Sequence, residues 1–131
     1  MHVFTYGSLM FPEVWSRVVS GSYRALPVHA KHYARFAVRD ETYPGAVAQA
    51  GAVLHGMLYC DVDTADLKVL DRFEGADYRR VEIEVLAADG QTCKAQIYLY
   101  LQIAQLSDSD WKPEEFRLSE FLVTYCGLVP Q

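Results

Sequence analysis

The stretch Val3-Phe4-Thr5-Tyr6-Gly7-Ser8-Leu9 begins with a short apolar strand that runs directly into a turn. A glycine just after a strand lets the backbone bend while its amides stay uncovered, so consecutive N–H groups can point at a carboxylate or a developing oxyanion. Taken alone, a Tyr-Gly-Ser turn is also typical of an ordinary connection. Tyr6–Leu9 is therefore a candidate donor segment whose role depends on what lies opposite it.

The first half of the chain predicts a strand, a helix and further strands. Met1–Thr5 is the first strand, and Pro12 begins a short helix that ends near Gly21. Residues Tyr23–Val38 are apolar and aromatic, which favours one or two strands. Tyr43-Pro44-Gly45 indicates a type II turn before the next strand, because proline presets one backbone angle and glycine accepts the positive one.

The second half continues the alternation of strands and helices. Ala52–Val62 predicts a central strand with a bulge or a close backbone approach at its glycine. A helix capped by Asp63 or Thr64 follows through Phe73, and Gly75 is its natural stop. The last predicted elements are a hairpin of Arg79–Val85 and Thr92–Leu101 around the Asp89-Gly90 turn, and a helix over Pro113–Cys126.

The length and composition predict one folded unit. With 131 residues, of which 51% are hydrophobic, the chain is long enough for a real core and too short for two ordinary domains. We therefore expect a single domain over residues 1–131. Mostly antiparallel strands with a few helices predict an α+β fold, in which closure into a small mixed β-barrel would remove exposed edges.

The charge and hydropathy of the chain argue against several partners. A net charge of −5 and a pI near 5.3, without a basic cluster, are unsuited to nucleic acid. No apolar run approaches the roughly 20 residues that cross a bilayer, and the N-terminus lacks the layout of a secretion signal. We expect a cytoplasmic monomer or homodimer that binds neither nucleic acid nor membranes.

The cysteines and histidines predict no metal site. Cys60, Cys93 and Cys126 are odd in number and widely spaced, without a Cys-x-x-Cys pair, so free thiols are expected. His29 and His32 are three positions apart but belong to no recognisable ligand array.

Glu74 is the residue that the helical pattern selects for chemistry. At about 100° per residue, Leu67, Leu70 and Phe73 define one apolar stripe, and Glu74 falls within it. Burial and the negative helix C-terminus would both raise the pKa of this carboxyl toward the range of a general acid or base. The alternative is that Glu74 turns outward at the helix end and pairs with Arg79 or Arg80.

The other candidates near this site carry weaker signals. Ser8 lacks both a Gly-x-Ser-x-Gly elbow and a histidine placed to activate it, which argues against covalent catalysis. Tyr78 and Arg80 share a strand parity and could face a ligand together, or the tyrosine could cover the arginine stem. Tyr98 and Tyr100 are more typical of packing than of substrate binding.

Four ordered blocks resemble the γ-glutamylcyclotransferase-like family, and within it the short branch with the plant avirulence-induced proteins and the γ-glutamylamine cyclotransferases. The blocks cover residues 3 to about 100 and leave out only the predicted C-terminal helix. They are Val3–Met10, Tyr43–Val47, Val53–Tyr59, and Leu70–Gly75 followed by Tyr78-Arg79-Arg80.

The resemblance implies a small mixed barrel with flanking helices and a cavity at which Tyr6–Leu9 binds the substrate through backbone N–H groups. Glu74 corresponds to the family's catalytic glutamate, which takes a proton from the α-ammonium group of a γ-glutamyl substrate. The freed amine attacks the γ-carbonyl, 5-oxoproline closes and the leaving amine takes the proton. Intramolecular attack and backbone donors together suffice for such a reaction without a metal or organic cofactor.

Three functions are therefore open at the level of sequence. The first is a cyclotransferase that releases 5-oxoproline, with Glu74 as general base and then acid. The second is a non-catalytic module that binds a small carboxylate or amino-acid derivative on the same fold, and the third is another acyl-transfer reaction.

Overall fold

The structure is a computed structural model that describes residues 1–115. Five strands and two α-helices form within these residues, together with short 3₁₀ helices. The strands are β1 (Val3–Thr5), β2 (Ala25–Ala37), β3 (Pro44–Tyr59), β4 (Tyr78–Ala87) and β5 (Thr92–Tyr100). The helices are α1 (Pro12–Val18) and α2 (Thr64–Glu74), and the 3₁₀ helices are Ser8–Met10, Ile103–Gln105 and Pro113–Glu115.

The five strands close into a barrel in the order β1-β3-β2-β4-β5. Every neighbouring pair is antiparallel except β1 and β5, which run parallel where Val3 lies beside Gln96. This closure leaves none of the five strands with an unpaired edge, which is the physical advantage of a barrel. The predicted α+β fold with a mixed, mostly antiparallel barrel is confirmed.

Strands β2 and β3 form a long hairpin that differs from the prediction in its turn. Tyr43-Pro44-Gly45 is not a type II turn, since Pro44 and Gly45 already belong to β3 and Gly45 has no positive φ. Gly45 instead lets the strand approach β5, because a Cβ there would lie 2.5 Å from the Cβ of Tyr100. Strand β3 thus begins eight residues before the predicted start at Ala52. The register between β2 and β3 shifts between Lys31 and Tyr33.

Helix α2 has the ends that its sequence predicts. The Asp63 side chain caps it by accepting from the Asp66 N–H at 2.8 Å. Gly75 ends it with a φ of 78°, a left-handed value that suits glycine. The helix therefore stops with Glu74 as its last residue, which places this side chain at the end of the apolar stripe.

Two apolar clusters hold the molecule together. The first fills the barrel and includes Phe4, Leu58 and Ile97. The second packs α1 and α2 against the outside of the barrel, where Trp15 stacks on Tyr59 with ring centroids 3.6 Å apart. Successive residues of a strand therefore pack into different clusters, one inside the barrel and one outside it, because side chains alternate between the two faces of a β-strand.

Of the predicted C-terminal helix Pro113–Cys126, the structure describes only Pro113–Glu115, which form a 3₁₀ helix. The remainder, including Cys126, lies outside the described residues. Over residues 1–115, no helix has both the length and the apolar character that crossing a membrane requires.

Candidate active site

A cavity of about 330 Å³ opens where β1 ends. Its walls come from β1 with the following loop, from the start of β3, from the last turn of α2, from the beginning of β4 and from β5. The lining residues are Phe4, Thr5, Tyr6, Gly7, Ser8, Leu9, Tyr43, Pro44, Arg72, Phe73, Glu74, Asp77, Tyr78 and Tyr98. Segments far apart in sequence therefore meet around one open cavity that is large enough for a small molecule.

Glu74 lines this cavity and is partly buried. Burial raises the pKa of its carboxyl group to about 8. Within residues 1–115, no side chain donates a hydrogen bond to it and no cation forms an ion pair with it. As far as these residues show, the carboxyl group is desolvated and has no compensating partner, which is the environment of a group that accepts and returns a proton near neutral pH.

Three tyrosine hydroxyls surround the same volume, and each donates its single proton to an acceptor other than Glu74. Tyr6 donates to the carbonyl oxygen of Tyr98, Tyr78 donates to that of Pro44 at 2.7 Å, and Tyr98 donates to Asp71 Oδ1 at 2.7 Å. Burial is the main cause that raises the pKa of all three hydroxyls, and the negative charge of Glu74 contributes in each case. All three therefore stay protonated. The Tyr6 oxygen already accepts from the Ala46 N–H at 3.2 Å, so the Tyr78 and Tyr98 oxygens are the ones that offer lone pairs to a ligand.

The loop after β1 lines the cavity with Tyr6, Gly7, Ser8 and Leu9. Gly7 precedes the 3₁₀ helix Ser8–Met10, and no side chain caps that helix. In the described part of the chain, the N–H groups of Gly7, Ser8 and Leu9 donate to no acceptor. Gly7 also needs to be glycine, because a Cβ there would lie 2.8 Å from the Pro44 ring. The predicted donor segment thus lines the same cavity as Glu74.

Arg80 does not line the cavity, although the sequence places it with Tyr78 as a ligand contact. Its Nε donates to Asp71 Oδ1 at 2.9 Å and its Nη1 donates to Gln96 Oε1 at 2.7 Å. Shared strand parity put Arg80 on the same face as Tyr78, but its longer side chain reaches Asp71 on α2 instead. Asp71 in turn holds the Tyr98 hydroxyl, so Arg80 supports the wall of the cavity from behind.

The sequence missed several residues of this site. Tyr98 is predicted to pack, yet it lines the cavity, whereas its neighbour Tyr100 packs near Gly45. Arg72 and Asp77 also line the cavity and bring charges of opposite sign to it. Their positions next to the Phe73-Glu74-Gly75 block were the only sequence signal that could have pointed to them.

The described residues suggest no metal centre. Within residues 1–115, no three side chains of the types His, Cys, Asp and Glu come close enough together to hold a metal ion. Cys60 and Cys93 are both free thiols, the first buried and the second partly buried.

Comparison with known proteins shows which family this sequence matches. The sequence matches the family model described as "Gamma-glutamyl cyclotransferase, AIG2-like" over residues 3–115. Protein AIG2 C of Arabidopsis thaliana is 28% identical over 120 residues, which cover 89% of this chain and 72% of that protein.

Solved structures agree with the sequence match. The solution structure of an Arabidopsis thaliana protein superposes with a TM-score of 0.73 at 26% identity, over 95% of this chain and 78% of the other. A structure named gamma-glutamyl cyclotransferase gives a TM-score of 0.65 at 18% identity, over 76% of this chain and 66% of the other, and shows a shared fold. The chain belongs to the gamma-glutamyl cyclotransferase, AIG2-like family.

Proposed function

We propose that this protein is a γ-glutamyl cyclotransferase that releases 5-oxoproline and an amine or amino acid from a γ-glutamyl substrate. Family membership supports a cyclotransferase-type function at the level of the family. The observation that carries the proposal is Glu74, a desolvated carboxyl group with a pKa of about 8 that lines the same cavity as Gly7, Ser8 and Leu9, whose N–H groups donate to no acceptor among residues 1–115. An acid poised near neutral pH and a set of fixed donors are the two parts that the reaction requires.

In the proposed mechanism, Glu74 first takes a proton from the α-ammonium group of the substrate. The resulting amine attacks the γ-carbonyl carbon of the same glutamyl unit, and the backbone N–H groups stabilise the negative charge on the carbonyl oxygen. The tetrahedral intermediate collapses with cleavage of the bond to the leaving nitrogen, to which Glu74 returns the proton. After the attack the ring nitrogen is still positively charged, and it loses its second proton to solvent as the lactam forms. The released amine takes up a second proton from solvent and becomes an ammonium ion, so the net charge is unchanged.

So few groups suffice because nucleophile and electrophile belong to one molecule. Holding the glutamyl chain in a bent conformation replaces the entropy that a bimolecular encounter would cost. The lone pairs of the Tyr78 and Tyr98 hydroxyls, whose protons are committed elsewhere, suit an ammonium group near Glu74. Arg72 adds a positive charge to the lining, which suits the α-carboxylate.

Turnover of a panel of γ-glutamyl amines and γ-glutamyl amino acids, followed by mass spectrometry of 5-oxoproline, tests the proposal. We expect wild-type protein to convert at least one of them, and Glu74→Gln to lower kcat by about 10²–10⁴-fold, because a general base is lost. The kcat/KM of wild type should rise with pH and level off above an apparent pKa near 8, the value set by burial of Glu74.

Glu84→Gln is the matched control, since Glu84 is exposed on β4 and lies outside the cavity lining. This variant should retain wild-type rates. If no compound yields more 5-oxoproline with wild type than with Glu74→Gln, the cyclotransferase assignment is wrong. Thermal stabilisation by these compounds without turnover would then indicate a binding module, and a hydrolysed product would indicate another acyl-transfer reaction.

A further inference from the structure

Arg35 contacts the loop of the cavity from outside. It lies on β2, it is absent from the cavity lining, and its side chain is 14% exposed. Its Nη1 donates to the carbonyl oxygen of Tyr6 at 2.9 Å. Hydrogen bonds from a charged, largely buried group are stronger than those between neutral groups, so this contact fixes the carbonyl in direction.

The guanidinium of Arg35 is itself held from two sides. Asp110 Oδ1 accepts from its Nε at 3.0 Å, and the ring of Trp111 lies 5.4 Å from its central carbon. Trp111 is in turn anchored by a hydrogen bond from its Nε1 to the carbonyl oxygen of Thr42 at 2.8 Å. Because an arginine has many rotamers when free, these contacts reduce the freedom of the group that holds Tyr6.

The Tyr6–Gly7 peptide transmits this orientation to the cavity. The peptide is trans, so its carbonyl and its N–H point in opposite directions. The carbonyl is directed at Arg35, which is outside the lining, whereas Tyr6 and Gly7 themselves line the cavity. Gly7 is buried, and its N–H meets no acceptor among residues 1–115. A buried donor without a partner is costly unless a ligand or water accepts from it.

We propose that Arg35 is a positioning residue of this site: by holding the Tyr6 carbonyl outward, it turns the Gly7 N–H inward to donate to a carboxylate or carbonyl oxygen of the ligand. The inference rests on the proposed function, because that function names the ligand. Arg35 does not line the cavity, yet it would control the direction of one of the donors that bind the substrate.

Nuclear magnetic resonance of ¹⁵N-labelled protein titrated with 5-oxoproline reads this donor directly. The Gly7 amide resonance of wild type should move on binding. Arg35→Met keeps an apolar stem beside Trp111 but removes the guanidinium, and we expect it to bind 5-oxoproline about tenfold more weakly, with a smaller Gly7 shift. Arg35→Lys restores a positive donor without the planar fork and should recover part of both.

Two further variants separate positioning from a general loss of structure. Arg17→Met removes an exposed arginine on α1 and should leave the affinity and the Gly7 shift unchanged. Asp110→Asn leaves Arg35 in place but weakens its orientation, and a loss of about threefold in affinity is expected. If Arg35→Met does not fold, the Lys and Asn variants carry the test.

Wild-type affinity and an undiminished Gly7 shift in the folded Arg35 variants overturn the inference, as does a Gly7 resonance of wild type that 5-oxoproline does not move. Failure of the proposed function looks different. The proposed function alone fails when wild type binds 5-oxoproline with a Gly7 shift that depends on Arg35 but converts no γ-glutamyl compound.

Discussion

Two carboxylates of one helix show how the environment of a residue decides its chemistry. Asp66, in the first turn of α2, accepts from the backbone N–H groups of Ser20 and Gly21 and from the Tyr23 hydroxyl at 2.6 Å. These bonds lower the pKa of its carboxyl group. Glu74, in the last turn, receives no such bond from residues 1–115, and burial raises its pKa to about 8. The same functional group is thus structural at one end of α2 and suited to proton transfer at the other.

The raised pKa of Glu74 predicts a stability that falls with pH. Its folded-state pKa of about 8 lies above the ordinary value, so the unfolded chain releases this proton first as pH rises. The free energy of unfolding should therefore decrease between about pH 4 and pH 8. Glu74→Gln removes the free-energy cost of burying an ionised carboxylate. This variant should therefore melt at a higher temperature than wild type above pH 8, with little difference near pH 4.

Thermal melts of wild type, Glu74→Gln and the exposed control Glu84→Gln across this range make the measurement. A constant difference between Glu74→Gln and wild type at every pH would show that the Glu74 carboxyl titrates as in the unfolded chain. The assigned burial would then be wrong.

At the scale of the elements, α2 connects the packing of the barrel with the candidate active site. Its first turn binds the segment after α1 through Asp66, and its apolar stripe packs Leu67 and Leu70 against the barrel. Its last turn delivers Glu74 to the cavity, and Asp71 in the same turn accepts from Tyr98 and Arg80. The helix is thus fixed at both ends, which sets the position of the carboxylate.

Substitution of Asp66 should destabilise the protein. Asp66→Ala leaves the Ser20 and Gly21 N–H groups and the Tyr23 hydroxyl without their acceptor, and we expect a loss of about 2–3 kcal/mol in the free energy of unfolding. Because its folded-state pKa is lowered, the stability due to Asp66 is complete above its unfolded value of about 3.9 and is lost as pH falls through the lower folded value.

Urea unfolding at neutral pH measures the loss, with Asp108→Ala, a change at an exposed position, as the control. Equal unfolding midpoints for the two variants would contradict the role assigned to Asp66. A further expectation is that wild type loses its advantage over Asp66→Ala only in acid.

At the scale of the whole molecule, the shortest strand closes the barrel. β1 has three residues, yet it pairs with β3 on one side and with β5 on the other. The cavity loop follows it directly, so barrel closure and the placement of the backbone donors depend on the same strand. Gly56 on β3 permits this approach, because a Cβ there would lie 2.1 Å from the Thr5 carbonyl oxygen and 2.5 Å from the Phe4 ring.

Gly56→Ala should therefore disturb fold and site together. The added methyl meets backbone and a fully buried ring, neither of which has room to move, so a loss of about 3 kcal/mol or more in the free energy of unfolding is expected. Guanidinium unfolding, with Ala50→Ser on an exposed part of β3 as the control, measures it. A Gly56→Ala variant as stable as Ala50→Ser would show that β1 does not approach β3 this closely.

Local sequence patterns predicted helix ends and turns correctly where the residue at that position has a single structural role. The cap at Asp63, the end of α2 at Gly75 and the β4–β5 hairpin around Asp89-Gly90 all follow from local backbone chemistry and are confirmed. The turn at Tyr43-Pro44-Gly45 was predicted wrongly, because a glycine serves equally for a positive φ and for a close approach. The position of Tyr100, which is distant in sequence, decided between the two uses.

The residues of the candidate site also fall into those that local sequence patterns predicted and those that only the tertiary structure placed. Sequence alone selected Glu74 and the Tyr6–Leu9 segment, since a helical stripe and a glycine after a strand are local features, and it identified the family through the order of its blocks. Only the tertiary structure decided that Arg80 reaches Asp71 instead of the cavity, that Tyr98 lines it, and that Arg35 holds the loop from behind. These outcomes depend on which strands become neighbours in the closed barrel and on how far each side chain extends, and neither is encoded within any one segment.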